Sequence, residues 1–115
     1  MEKTIVIDDK KVRFKINGAT PLRYKAQFGK DYFKELMQLA PLEKMGRQKK
    51  FDVKDLEALD FEVFYNLSWI MAKTADPTIP EPVEWLEQFD TFPMADVIPE
   101  LQDLIMASLQ GTKKK

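Results

Sequence analysis

The stretch FDVKDLEALDFEVFYNLSWIMAKTAD, residues 51–76, decides the fold. Leu56, Leu59, Val63, Leu67 and Ile70 recur at helical spacing and form one stripe. Phe64, Tyr65, Trp69 and Ala72 carry apolar character around the other side. From Phe61 to Ala72 the pattern is apolar almost all round, which predicts a central, deeply buried helix. Asp52 is its expected N-cap, with Phe51 and Leu56 at the spacing of a hydrophobic staple. Asp55, Glu57 and Asp60 near the start and Lys73 near the end match the helix dipole. Asp76-Pro77 stops it, because proline disfavours helical geometry in the residue before it.

Upstream, KTIVIDDKKVRFKI predicts a β-hairpin over residues 1–17. Val12, Phe14 and Ile16 alternate with Arg13 and Lys15, the period of a half-buried strand. Asp8-Asp9-Lys10 is the expected turn. A lone hairpin is marginal in water, so its apolar face must pack on something else. Residues 20–40 read as helical. Thr20 is the expected N-cap, Pro21 suits the first helical position, and Gly29 ends or bends the segment. Asp31 caps a second piece in which Phe33, Leu36, Met37 and Ala40 share a face. Residues 41–51, PLEKMGRQKKF, form a polar, basic connector expected to be mobile.

Downstream, prolines act as stops and starts. Pro82 opens a short helix with Val83, Leu86 and Phe89 roughly on one face. Phe92-Pro93 breaks again. The last helix buries Val97, Leu101, Leu104, Ile105 and Ser108, with Pro99 marking its true start or a kink and Gly111 its end. Residues 111–115 are the expected disordered basic tail. The expected architecture is α+β, mainly α: one domain over residues 1–110, with the hairpin packed on a small helical bundle built round the long central helix.

A chain of 115 residues, 44% hydrophobic and 32% charged, reads as one soluble globular domain. No apolar run approaches a membrane span, and MEKTIVIDD does not have the pattern of a signal peptide. Cysteine and histidine are both absent, which removes disulfides, thiolate metal sites and the commonest general base. No nucleophile elbow, phosphate-cradling glycine loop or zinc-protease helix occurs. The acid pairs Glu84/Glu87 and Asp96/Glu100 read as solvated helix faces. The expectation is a protein without catalytic, cofactor or metal site. Charge is uneven: residues 1–50 hold 13 Lys/Arg against 6 Asp/Glu, and residues 51–115 hold 5 against 13. The halves complement each other within one fold or, head to tail, between copies.

The combination of FGKDYFKEL, FYNLSWIMAKTADPTIPEPVEWLEQFDTFP and VIPELQDLIMASL resembles the tail assembly chaperones of long-tailed bacteriophages and prophages of Gram-positive bacteria. The resemblance spans nearly the whole chain and is most specific from Met71 to Pro93. It implies a non-catalytic protein of the bacterial cytoplasm, absent from the mature virion. Such proteins coat the aggregation-prone tape measure protein, keep it soluble and help it accept the major tail protein. It also implies a C-terminally extended form made by ribosomal frameshifting, for which the codons of Lys113–Lys115 are the candidate slippery site. Holding a client requires exposed apolar surface. The candidate contacts are exposed members of two groups, Tyr24, Phe28, Tyr32 and Phe33, and Trp85, Phe89, Phe92 and Met94, with Met45 in the connector. Rival readings are a structural tail or head–tail joining component, and a nucleic-acid module using Lys10, Lys11, Arg47, Lys49 and Lys50. Balanced overall charge disfavours the second.

Overall fold

The computed structural model describes residues 2–38 and 61–110. Its elements are β1 (Glu2–Ile7), β2 (Lys10–Lys15), α1 (Thr20–Phe28), α2 (Tyr32–Gln38), α3 (Phe61–Ala75), α4 (Pro82–Leu86) and α5 (Met94–Gln110). The architecture is α+β, mainly α, with the hairpin laid on the helices.

In α3, Val63, Phe64, Leu67, Trp69, Ile70, Met71 and Ala72 are all buried, as expected of a helix that is apolar nearly all round. Ser68 is buried too, and its hydroxyl donates back to the Phe64 carbonyl at 2.8 Å. That bond satisfies the one polar group on this part of the helix that has no access to water. The helix stops at Ala75, ahead of Asp76-Pro77.

The hairpin pairs Ile5 with Val12 and Ile7 with Lys10. Its turn holds two residues, Asp8 and Asp9, both at positive φ (54° and 64°), and Lys10 already belongs to β2. Two left-handed residues match the right-handed twist of the flanking strands, so the turn is shorter than the three residues expected from sequence. Ile5, Ile7, Phe14 and Ile16 are buried. β2 packs on α3, and β1 on α5. Lys3 fixes the second contact by ion pairs to Glu100 (2.9 Å) and Asp103 (3.7 Å). The Glu100 hydrogen bond, with the charges of both acids, holds the Lys3 pKa above its ordinary value despite partial desolvation.

Several local expectations are corrected. Thr20 is the first helical residue of α1, and the cap position falls on Ala19. The Thr20 hydroxyl turns back to accept from the Asn17 N–H (3.0 Å), while Asn17 Oδ1 accepts from the Ala19 N–H (2.9 Å). Those bonds fix the turn that leads into α1, which itself has no side-chain cap. In α2 the buried face is Tyr32, Glu35 and Leu36, leaving Phe33 and Met37 outside. In α4, Val83 is exposed and Trp85 takes the core, the larger ring burying more apolar surface. α5 runs unbroken through Pro99, so that residue is not its start. Gly29 and Asp31 behave as expected. Gly29 is left-handed at φ 71° and donates its N–H to the Lys25 carbonyl, and Asp31 accepts from the Lys34 N–H at 3.0 Å. The connector 41–51, Ala40, the Phe51/Asp52/Leu56/Leu59 cap and stripe, Gly111 and the basic tail lie outside the described residues. No described helix is long and apolar enough to cross a membrane.

Candidate partner-binding surface

The proline-rich run after α3 is held in place by side chains of that helix. Trp69 Nε1 donates to the Pro80 carbonyl at 2.8 Å, and Lys73 Nζ to the Ile79 carbonyl at 3.0 Å. Asp76 accepts from both the backbone N–H (3.1 Å) and the hydroxyl (2.6 Å) of Thr78. Those bonds, with weaker help from the Arg13 and Lys73 charges, hold its carboxyl below the usual range. The connector therefore delivers α4 at a fixed position against the hairpin.

From there, both candidate aromatic groups resolve into packed clusters. Trp85 is 2% exposed and meets Phe14 (ring centroids 6.4 Å apart), Phe89 (5.4 Å) and Phe92 (5.8 Å). Phe92 also reaches Phe64 (6.1 Å) and Tyr65 (5.8 Å) of α3. In the first group, Tyr24 is fully buried and packs on Phe28 (4.8 Å) and Tyr32 (5.7 Å), while Phe28 meets Trp69 edge-on at 5.8 Å. Tyr24, Tyr32, Trp85 and Phe89 are thus buried in the chain itself, and Phe28 and Phe92 are partly buried against its core. The Met94 side chain and Met45 lie outside what the structure describes.

Among the described members of the two groups, Phe33 is the one that faces outward, at 53% exposed. Met37, one helical turn on, is 74% exposed, so the two form an apolar pair on one face of α2. What turns that face outward is the other side of the helix. Tyr24 Oη donates to Glu35 Oε1 at 2.9 Å, and Gln38 Nε2 donates to Glu35 Oε2 at 3.2 Å. Glu35 is only 4% exposed. A buried phenol needs an acceptor, so an acid occupies the inward position that an apolar residue was expected to fill. Burial foremost, then the Glu35 hydrogen bond and charge, push the Tyr24 pKa well above its ordinary value, so its proton stays on the phenol. Leu22, Val83 and Val6 are the other large apolar side chains left exposed among the described residues.

A second surface feature lies beside the hairpin. A solvent-open groove of about 200 Å³ is bounded by Lys10 to Arg13 on one side and by Asp76, Ile79, Trp85 and Phe89 on the other. Lys10 stands over the Phe89 ring at 5.3 Å and donates to the Gln88 carbonyl. Arg13 donates to the Ala75 carbonyl at 3.0 Å, capping the C-terminus of α3. The groove contains cations, aromatic edges and one carboxylate already engaged by Thr78. That inventory suits binding of an anionic or mixed apolar segment. The groove was not expected from the sequence, and Phe33 was named there both in the shared face of α2 and among the candidate exposed contacts. The detectable signal for the groove was the clustering of Lys10, Lys11 and Arg13 around the hairpin turn. No family model, curated protein or solved structure matches this chain.

Proposed function

We propose that this chain is a non-catalytic tail assembly chaperone. It binds the tape measure protein of a long-tailed bacteriophage in the host cytoplasm, keeps it soluble, helps it accept the major tail protein, and leaves before the virion matures. The observation that carries the reading is the ordered run from Met71 to Pro93, with its flanking helices, and its resemblance to that family. The role is supported by an exposed apolar pair, Phe33 and Met37, on a helix whose opposite face is anchored by the Tyr24–Glu35 hydrogen bond. Such a surface is what a holdase offers to amphipathic segments of its client. Methionine beside an aromatic ring suits a client of varied sequence.

The test is co-expression with the tape measure protein of the same phage or prophage, with and without a frameshifted longer form, followed by affinity purification and sizing. A soluble complex with several copies of this chain per client is the expected result. A client that stays insoluble and unbound while this chain is folded refutes the function. Mass spectrometry of purified virions separates the rival structural reading, under which the chain persists in mature particles.

A further inference from the structure

The two-residue turn fixes which backbone groups of the hairpin are left over. Ile7 and Lys10 flank it and form the first hydrogen-bonded pair, so the bonded pairs alternate to Ile5/Val12 and Lys3/Phe14. The N–H and C=O groups of Lys11 and Arg13 therefore point away from β1. No turn, loop or cap hydrogen bond of the described residues engages them. The groove is lined by four consecutive residues, Lys10 to Arg13, although their side chains alternate between the two faces of the hairpin. A cavity that touches both parities of a strand runs along its edge. Across from that edge lie the apolar surfaces of Ile79, Trp85 and Phe89. Three cations and Asp76 line the groove; Arg13 is paired with Glu2 at 3.4 Å, and Lys11 forms no ion pair among the described residues.

We propose that the free edge of β2 is a docking site for an extended, acidic segment of a partner protein, which adds to the hairpin as a third strand. Main-chain bonds to Lys11 and Arg13 hold the segment. Its carboxylates meet Lys11 and Lys10, and its apolar side chains lie against the half-buried Ile79. The inference rests on the reading of this chain as a partner-binding protein and assigns one contact within that role. The opposing use of edge lysines is to repel any added strand, and the experiment decides between the two.

The probe is a short blocked peptide alternating glutamate and valine, with a lysine–valine peptide as its counterpart. Both are titrated into the full chain while backbone amide shifts and hydrogen exchange are followed. The acidic peptide is expected to bind, to slow exchange of the Lys11 and Arg13 amides, and to weaken as salt rises. Lys11→Gln removes the charge alone. Lys11→Pro also removes the outward N–H and leaves the ladder to β1 intact, because that N–H takes no part in it. The proline variant should bind about fivefold more weakly than the glutamine variant, the loss of roughly one hydrogen bond. Unchanged exchange at Lys11 and Arg13 in the wild-type chain overturns the proposal, as does equal binding of the lysine–valine peptide. The amide measurement needs no variant, so a misfolded Lys11→Pro does not rescue the idea. A tape measure protein held equally well by wild type and a folded Lys11→Pro overturns this site but not the chaperone function. Failure of the wild type to hold it overturns the function instead.

Discussion

The buried pair Tyr24–Glu35 offers the sharpest test of how the α1–α2 corner is built. Tyr24→Phe removes the 2.9 Å bond to Glu35 and leaves a carboxylate that is 4% exposed with the Gln38 amide as its remaining side-chain donor among the described residues. Hydrogen bonds to charged groups contribute about 1.5–3 kcal/mol, so the substitution should cost about 2 kcal/mol. For a domain of this size that lowers Tm by roughly 5–10 °C. Glu35→Leu alone should also destabilise, because the phenol is then buried without its acceptor, at about 1–3 kcal/mol. The double variant replaces both partners by apolar groups and should cost less than the sum of the two single changes. Urea unfolding of all four proteins closes a double-mutant cycle, with an expected coupling of about 2 kcal/mol. Strict additivity would refute the reasoning, since it would mean that the two side chains do not depend on each other.

Three further outcomes follow from the same structure. Gly29→Ala places a Cβ at φ 71° and should cost about 1 kcal/mol in chemical denaturation, although nothing lies within 4 Å of the added carbon. Trp85→Ala should cost about 3–5 kcal/mol by emptying the aromatic cluster, whereas Phe33→Ser with Met37→Ser should change stability by less than about 1 kcal/mol yet reduce client capture in co-purification. Stability should fall as pH rises above about 10: the folded-state pKa values of Tyr24 and Lys3 both lie above their ordinary values of 10.0 and 10.5, so each contribution is complete below that range and is lost as pH climbs through the folded value. In Tyr24→Phe an alkaline unfolding curve should be flatter; an unchanged slope would show that the phenol is not the group responsible.

How much of this could be read from the sequence depends on whether the signal was periodic or pairwise. The described parts of the apolar stripes, Val63, Leu67 and Ile70 in α3 and Val97, Leu101, Leu104 and Ile105 in α5, survive with the alternation in β2 because burial of a whole face is a sum over many residues, and no single neighbour can overturn it. Gly29 and Pro77 were legible for a related reason, since their constraints are local to the backbone. The errors at Phe33, Met37 and Val83 arose where one residue had to be chosen over another by its tertiary partner. Glu35 is inside because the phenol of Tyr24 needs an acceptor, and Val83 is outside because Trp85 has the better claim to Phe14. Neither partnership has a signature in a window of sequence. The candidate contacts suffered in the same way. A rule that finds aromatic clusters finds anchors, and most anchors face inward, so Phe33, the exposed one of the described candidates, was named with seven other positions and nothing in the sequence set it apart. The groove depended on bringing residues near 10 beside residues near 88, a separation that no linear pattern reports.

That separation also sets the order in which the chain can mature. Asp8 receives the Asp90 N–H across 82 residues, Lys10 is bonded to Gln88, and Lys3 is paired with Glu100. The β1–β2 pair is therefore completed by α4 and α5, which are synthesised long after it. A two-stranded hairpin has little stability of its own, so Ile5, Ile7 and Phe14 stay unprotected until α5 has been made. A nascent chain stopped at residue 93 lacks α5, leaving β1 without its packing partner, and should partition into the insoluble fraction of a cell lysate. Folding of the hairpin is in that sense deferred: residues 2–15 find their places only when α5, some eighty residues downstream, can reach them.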